Sequence, residues 1–252
     1  MSRTALITGA AGGIGREIAG ALAAAGHDVA VCDRDERVRE VAAGLAGAGG
    51  TRTAAGVFDI ADAAAVRTGV AELAAELAPF DLLVSNAAIV DQIAPALEFP
   101  PEGFERELAV NLSGAFWAAQ ALASGMVERG FGRIVVISSG AATGGLPGQV
   151  AYSASKAGLL GMVRTLATEL GGAGVTCNAV LPGLIGTEKV QAMPEQITER
   201  ALRRIPAGRV GEMAEVAALV AFLCSEPAGY INGACIPIDG GQSLNTLGLS
   251  GR

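Results

Sequence analysis

Thr4-Ala5-Leu6-Ile7-Thr8-Gly9-Ala10-Ala11-Gly12-Gly13-Ile14-Gly15 runs from an apolar stretch into a glycine-rich turn. Its first five residues read as a short buried strand. An alanine-rich helical pattern follows from about Arg16 to Ala25 and stops at Gly26. Strand, glycine turn and helix form the context of a dinucleotide-binding site. The glycines let the backbone turn tightly and approach a pyrophosphate, and the helix amino terminus offers unpaired N–H groups and a positive dipole end. The spacing, Gly9, Gly13 and Gly15, is Gly-x-x-x-Gly-x-Gly, and the chain has 36 glycines, so an ordinary strand–helix turn is the plain alternative. The next segment argues against it. Asp28-Val29-Ala30-Val31-Cys32-Asp33 is a second strand pattern, with Asp33 at its carboxyl end, 18 residues after Gly15. An acidic side chain there accepts hydrogen bonds from the adenosine ribose hydroxyls. A 2′-phosphate would meet carboxylate repulsion, so NAD(H) is expected over NADP(H), despite the neighbouring Arg34.

A second constellation lies further along. Tyr152-Ser153-Ala154-Ser155-Lys156 places a phenol and an ammonium one helical turn apart, 13 residues beyond Ser139. The spacing predicts that Lys156 lowers the phenol's pKa and makes it a proton carrier, with Ser139 holding a carbonyl oxygen against it. Such groups suit moving a proton while a cofactor moves a hydride. His27 is the only histidine and follows a helix end, so a structural role is expected and a triad hydrolase is excluded.

These residues together resemble the short-chain dehydrogenase/reductase family, in its compact form of about 250 residues. Gly9, Gly12, Gly13, Ile14 and Gly15 are similar to its cofactor loop. Asp59, at the end of an apparent third strand in Val57-Phe58-Asp59-Ile60, resembles the aspartate that contacts adenine. Ser85-Asn86-Ala87-Ala88 resembles the run after the fourth strand, with Ser85 and Ala88 departing from the usual asparagine and glycine. Asn111, Ser139, Tyr152 and Lys156 match the catalytic residues. Pro182-Gly183-Leu184-Ile185-Gly186-Thr187 resembles the segment near the nicotinamide. Tyr230-Ile231-Asn232-Gly233 and Asp239-Gly240-Gly241 resemble the carboxyl-terminal signature.

The resemblance implies a cofactor site of Gly9, Gly12, Gly13, Ile14, Gly15, Asp33, Arg34, Asp59, Ile60, Asn86, Tyr152, Lys156, Pro182, Gly183, Ile185 and Thr187. It implies that Lys156 also binds the nicotinamide ribose and that Asn111 holds a water linking Lys156 to solvent. The expected activity is interconversion of a secondary alcohol or hydroxy compound and its ketone, with Tyr152 as acid and base. A 3-oxoacyl-thioester reductase, acting on acyl carrier protein or coenzyme A, is the alternative. Carrier-protein reductases of the family place a basic residue just before the strand beginning near Val175. Here that stretch is Leu170-Gly171-Gly172-Ala173-Gly174, with Arg129 and Arg133 left nearby, so a catabolic alcohol or hydroxy-acid dehydrogenase is preferred. An NAD-sensing regulator without turnover would have no need of the four catalytic residues together. A sugar-nucleotide epimerase of related fold needs a larger substrate domain.

Strand-like and helical patterns alternate throughout, with further strands at 81–85, 133–138 and 175–180 and helices at about 104–129, 152–171 and 212–225. They imply an α/β fold, a Rossmann-type doubly wound parallel sheet flanked by helices on both faces, forming a single domain over 1–252. The connection 184–209 lacks strand character and reads as a mobile substrate lid rather than a pair of short surface helices. Leu146, Leu184, Val190 and Met193 suit either an apolar pocket or lid packing. Phe116 and Trp117 are expected to pack rather than stack a ligand.

Hydrophobic residues make up 51%, yet no run of about 18 apolar residues exists for a membrane helix. The first strand begins at once and leaves no room for a signal peptide, so a cytoplasmic protein is expected. Cys32, Cys177, Cys224 and Cys235 lack metal-ligand spacing and read as free thiols, with no metal site expected. The net charge of −7 argues against nucleic-acid and anionic-membrane partners. The partners expected are a small-molecule substrate and further copies of the chain, as a homotetramer or dimer.

Overall fold

The computed structural model describes residues 2–47, 50–77 and 79–244. The outermost residues of the expected 1–252 domain lie outside them. Among the described residues, seven parallel strands form one sheet. They are β1 Thr4–Thr8, β2 Asp28–Asp33, β3 Thr53–Val57, β4 Leu82–Ser85, β5 Gly132–Ile137, β6 Val175–Pro182 and β7 Cys235–Ile238. Their order is β3-β2-β1-β4-β5-β6-β7. The main helices are α1 Gly13–Ala24, α2 Val38–Leu45, α3 Ala63–Leu77, α4 Pro101–Leu108, α5 Gly114–Arg129, α6 Ala141–Gly144, α7 Val150–Leu170, α8 Glu188–Gln191, α9 Glu195–Leu202 and α10 Met213–Cys224. A π-helical turn, Ala109–Ser113, joins α4 to α5.

Every residue of β1 is buried, and its side chains alternate between the two faces of the sheet. Ala5 and Ile7 enter a core with Ile18 and Leu22 of α1 and Val216, Val220 and Leu223 of α10. Leu6 enters the opposite core with Val70 and Leu73 of α3, Met126 of α5 and Leu159 and Val163 of α7. Burial on both faces explains why the strands read as continuous apolar runs. Ile18 and Leu22, four residues apart, make the stripe by which α1 packs on the sheet.

Several boundaries differ from the sequence expectation. α1 begins at Gly13 rather than near Arg16, so the glycine motif itself supplies the helix's first turn. β3 ends at Val57. Its last ladder bond runs from the Phe58 N–H to the Asp33 carbonyl at 3.0 Å. Asp59 and Ile60 therefore sit in a turn beyond the strand, where Asp59 Oδ1 accepts the Ala61 N–H at 2.9 Å. The 104–129 pattern is two helices joined by the π turn. The 184–209 connection contains α8 and α9, so short helices do form there. Its ends are tied together: Gly186 N donates to Gly211 O at 2.9 Å and Gly211 N to Leu184 O at 2.9 Å.

The chain leaves β1 toward one edge of the sheet and β4 toward the other. The crevice between their carboxyl ends is the switch point at which such sheets bind ligands. Leu22→Ala, at a fully buried position between α1 and the sheet, is expected to destabilise the fold by about 2–5 kcal/mol. Denaturant unfolding measures this.

Candidate active site

At the switch point a cleft of about 490 Å³ opens. Gly9, Gly12, Gly13 and Ile14 line it from the β1–α1 turn, Asp33 and Arg34 from the end of β2, Asp59 and Ile60 from the turn after β3, and Asn86 from the end of β4. Ser139 faces it from the turn after β5, Tyr152 and Lys156 from α7, and Pro182, Gly183, Ile185 and Thr187 from the end of β6 and the segment after it. Two expected site residues do not line it, Gly15 and Asn111.

The turn is built on close approach. A Cβ on Gly9, whose φ is +68°, would stand 2.5 Å from Ala87 Cα, and one on Gly15 would stand 2.6 Å from Asn86 Nδ2. Only glycine lets the first turn of α1 press against the β4 loop. Thr8 Oγ1 accepts the N–H groups of Asn86 at 3.0 Å and Ala87 at 3.1 Å. Asn86 Nδ2 donates to the carbonyls of Thr8 and Gly9 at 3.1 and 2.9 Å. Side chains at Gly12 and Gly13 would meet nothing within 4 Å, so the turn faces open space with the unpaired first-turn N–H groups of α1 beside it. A pyrophosphate fits such a cradle.

Asp33 is held by the same turn. Its Oδ2 accepts the Ala11 N–H at 3.0 Å and its Oδ1 the Asp35 N–H at 3.1 Å. Asp59 pairs with Arg106 at 2.9 Å. Burial opposes ionisation of Asp59, but the Ala61 N–H and the Arg106 guanidinium outweigh it and hold the carboxyl below its usual range.

Ser139, Tyr152 and Lys156, three of the four expected catalytic residues, come together in the cleft, with electrostatics opposite to the sequence expectation. Tyr152 shares a side-chain hydrogen bond with Ser139, yet its pKa is raised. Burial is the largest cause; the Ser139 bond lowers it and the Glu107 charge raises it further. Lys156 Nζ lies 5.7 Å from the Tyr152 ring centroid and donates to Ile137 O at 2.8 Å. Its ammonium is aimed at a backbone carbonyl, and burial depresses its own pKa from 10.5 to about 8. One helical turn places Tyr152 and Lys156 on one face but does not aim the ammonium at the phenol oxygen.

Asn111 is 1% exposed in the π turn. Its Oδ1 accepts the Ile89 N–H at 2.8 Å, and its Nδ2 donates to Ile89 O at 2.9 Å and Ser155 Oγ at 3.2 Å. It therefore braces the cleft wall rather than facing the cavity. Sequence reasoning missed Thr8 and Arg106, whereas Ile89 and Val90 lie in the loop after Ala88 and Lys189 in the 184–209 connection, both expected to line the pocket. Of the four apolar candidates, Leu184 and Val190 line the cleft, whereas Leu146 and Met193 are exposed outside it. His27 is structural, its Nδ1 accepting the Arg3 N–H at 3.1 Å. Trp117 packs against the core and lies 5.3 Å from the Phe116 ring. All four cysteines are free.

Burying the Lys156 ammonium weakens the fold. Its folded pKa lies below the unfolded value, so the unfolded state binds more protons between about pH 8 and 10.5, and stability rises with pH across that window. Lys156→Met removes a penalty of about 3 kcal/mol at pH 7 and loses a hydrogen bond worth about 1 kcal/mol. The variant is expected to melt several degrees higher than the parent at pH 7, with the advantage shrinking toward pH 10.5 and turnover lost. Thermal scans at several pH values, with an activity assay, check this.

Comparison with known proteins agrees with the geometry. The family model described as enoyl-(acyl carrier protein) reductase matches residues 9–243. The acetoacetyl-CoA reductase of Rhizobium meliloti is 44% identical over 247 residues, covering 96% of this chain and 99% of that protein. The 3-oxoacyl-(acyl-carrier-protein) reductase MabA of Mycobacterium tuberculosis is 42% identical over 245 residues, covering 97% and 94%. Among solved structures, a 3-oxoacyl-(acyl-carrier-protein) reductase with bound NAD from Brucella melitensis superposes with a TM-score of 0.89 at 32% identity, covering 96% and 92%. With its switch-point cleft and these near full-length relatives, the chain belongs to the short-chain dehydrogenase/reductase family of oxidoreductases, which act on CH–OH and keto groups with nicotinamide cofactors.

Proposed function

We propose that this chain interconverts a 3-oxoacyl thioester and its 3-hydroxy counterpart, with NAD(H) as cofactor and coenzyme A as the carrier. The observation that carries this reading is the single cleft that holds the glycine turn, Asp33, and the Ser139–Tyr152 pair together. The nicotinamide, when bound, supplies or takes the hydride. In reduction, Tyr152 gives its proton to the carbonyl oxygen, and Ser139 donates a hydrogen bond to that oxygen as negative charge develops. Oxidation reverses both moves.

Two features refine the substrate. Ile89, Val90, Leu184 and Val190 line the cleft and suit an acyl chain. Arg129 and Arg133, the cations nearest the expected carrier-protein contact, are already engaged. Arg129 pairs with Asp81 at 3.2 Å, and Arg133 is 5% exposed with its guanidinium 4.3 Å from the Phe131 ring centroid. Neither is free for an acidic carrier protein, which moves the reading toward a coenzyme A thioester. The relatives named for acetoacetyl-CoA and 3-oxoacyl-carrier-protein reduction support this reading over the alcohol or hydroxy-acid dehydrogenase preferred from sequence. Asp33, which lines the cleft at the end of β2, supports NAD(H), because its carboxylate would repel a 2′-phosphate. The tied segment 186–210 serves as the lid over this cleft.

Purified protein is expected to oxidise NADH with acetoacetyl-CoA, with kcat/KM for NADPH lower by about 10-fold or more because like charges repel. Asp33→Ser is expected to narrow that ratio. No turnover of 3-oxoacyl thioesters alongside turnover of simple ketones overturns the substrate, and a preference for NADPH overturns the cofactor. Tyr152→Phe is expected to retain NADH binding and lose about 10²–10⁴-fold in turnover; near-normal turnover removes Tyr152 from its role.

A further inference from the structure

Glu107 is a buried charged side chain that the proposed chemistry does not use. It lies on α4, is 1% exposed, and precedes Asn111 by one helical turn. Its Oε1 accepts the backbone N–H groups of Asp91 at 3.1 Å and Gln92 at 3.3 Å. Its Oε2 is buried and has no hydrogen-bond partner. A carboxylate so placed is costly, because burial removes hydration that these two donors replace only at one oxygen.

The geometry on either side shows what the carboxylate holds. Asn111 grips Ile89 through both N–H and carbonyl. Successive turns on one helical face therefore clamp the segment Ile89–Gln92 at two points. Ile89 and Val90 form the cleft wall. Two residues beyond the clamp, Ala94 N donates to Gly148 O at 3.0 Å, in the loop that leads into α7 and Tyr152. The strap thus runs from the end of β4, across the clamp, to the approach of the catalytic helix.

We propose that Glu107 is a positioning residue: with Asn111 it fixes the strap Ile89–Gln92 so that the apolar wall keeps its place opposite Ser139 and Tyr152. This rests on the reading of the cleft as the substrate site. A second effect follows from its charge. Tyr152 is raised first by burial, is lowered by its Ser139 hydrogen bond, and is raised again by the charge of Glu107 on α4, a helix packed against α7. Lys156, on the tyrosine's own helix, directs its ammonium to Ile137 O instead.

The test uses the full chain with Glu107→Leu and Glu107→Gln. Hydrogen–deuterium exchange is read on the peptide spanning 89–94, and steady-state rates are measured with acetoacetyl-CoA and NADH against pH. Leucine removes the acceptor, so exchange in that peptide should quicken by about 5–10-fold. The KM for the thioester should rise while kcat changes less. Glutamine keeps one acceptor oxygen, so it should recover most of the exchange protection and KM. Having lost the charge, it should shift the Tyr152-dependent limb of the pH profile to lower pH. Unchanged exchange and KM in the leucine variant overturn the proposal. So does a glutamine variant as impaired as leucine, or one with the parent pH profile. Where the leucine variant does not fold, the glutamine profile and exchange decide alone. If the parent protein turns over no thioester, the substrate reading falls, whereas the exchange measurement still decides the clamp.

Discussion

The Thr8 hydroxyl accepts two backbone N–H groups from the β4 loop, and the Asn86 amide returns two hydrogen bonds to the end of β1. This reciprocal stitch extends the β1–β4 pairing at the one place where neighbouring strands send their chains to opposite edges of the sheet. It holds the Gly9 turn against Ala87 at a distance no other residue tolerates. The rest of the cleft is referenced to it. Asp33 is tied to Ala11 of the same turn, and the strap that begins at Ile89 leaves from the far side of Asn86.

The two ends of the sheet divide stability from function. At the amino ends of the strands, Arg3 and Arg133 lie over the Phe131 ring at 3.8 and 4.3 Å from its centroid. Asp81 receives Arg3 at 3.7 Å and Arg129 at 3.2 Å. Each charge there has an opposite partner or an aromatic face, which repays desolvation. At the carboxyl ends, Lys156 and Glu107 are more deeply buried than Arg3, Arg129 and Asp81, and among the described residues neither has an opposite charge: one meets a neutral carbonyl, and the other keeps an unpartnered oxygen. Such groups weaken the folded state, and they persist where positioning or proton control requires them.

The parts legible in sequence were those where one local rule acts alone. β1 and β2 announce themselves as apolar runs buried on both faces, and the glycine turn by its place between strand and helix. Asp59 lines the cleft although β3 stops before it, and the sequence hides that boundary because a turn that continues an extended run looks like more strand. The π turn around Asn111 left no trace, since apolar spacing does not report one extra residue in a helix. Glu107 sits in a segment reading Glu-Arg-Glu, where a charged residue looks like a solvated face. Its burial depends on α7 and the strap, which come from 15 residues before it to more than 40 after. The Tyr152 shift failed for the same reason: spacing along a helix gives proximity, whereas burial by distant segments gives the sign.

Burial acts in opposite directions on Tyr152 and Lys156, raising the phenol and lowering the ammonium, because in each case it disfavours the charged form. The phenol is the acid that ketone reduction uses, and the phenolate is the base that alcohol oxidation uses. A raised phenol keeps the acid available through neutral pH and confines the base to alkaline solution. The equilibrium between alcohol and ketone is unaffected by this, since a catalyst changes both rates equally under given conditions. What the buried environment decides is the protonation state from which each direction must start. On the proposed chemistry, reduction at neutral pH starts from the populated phenol whereas oxidation must first remove its proton, and the Glu107 charge acts in the same sense.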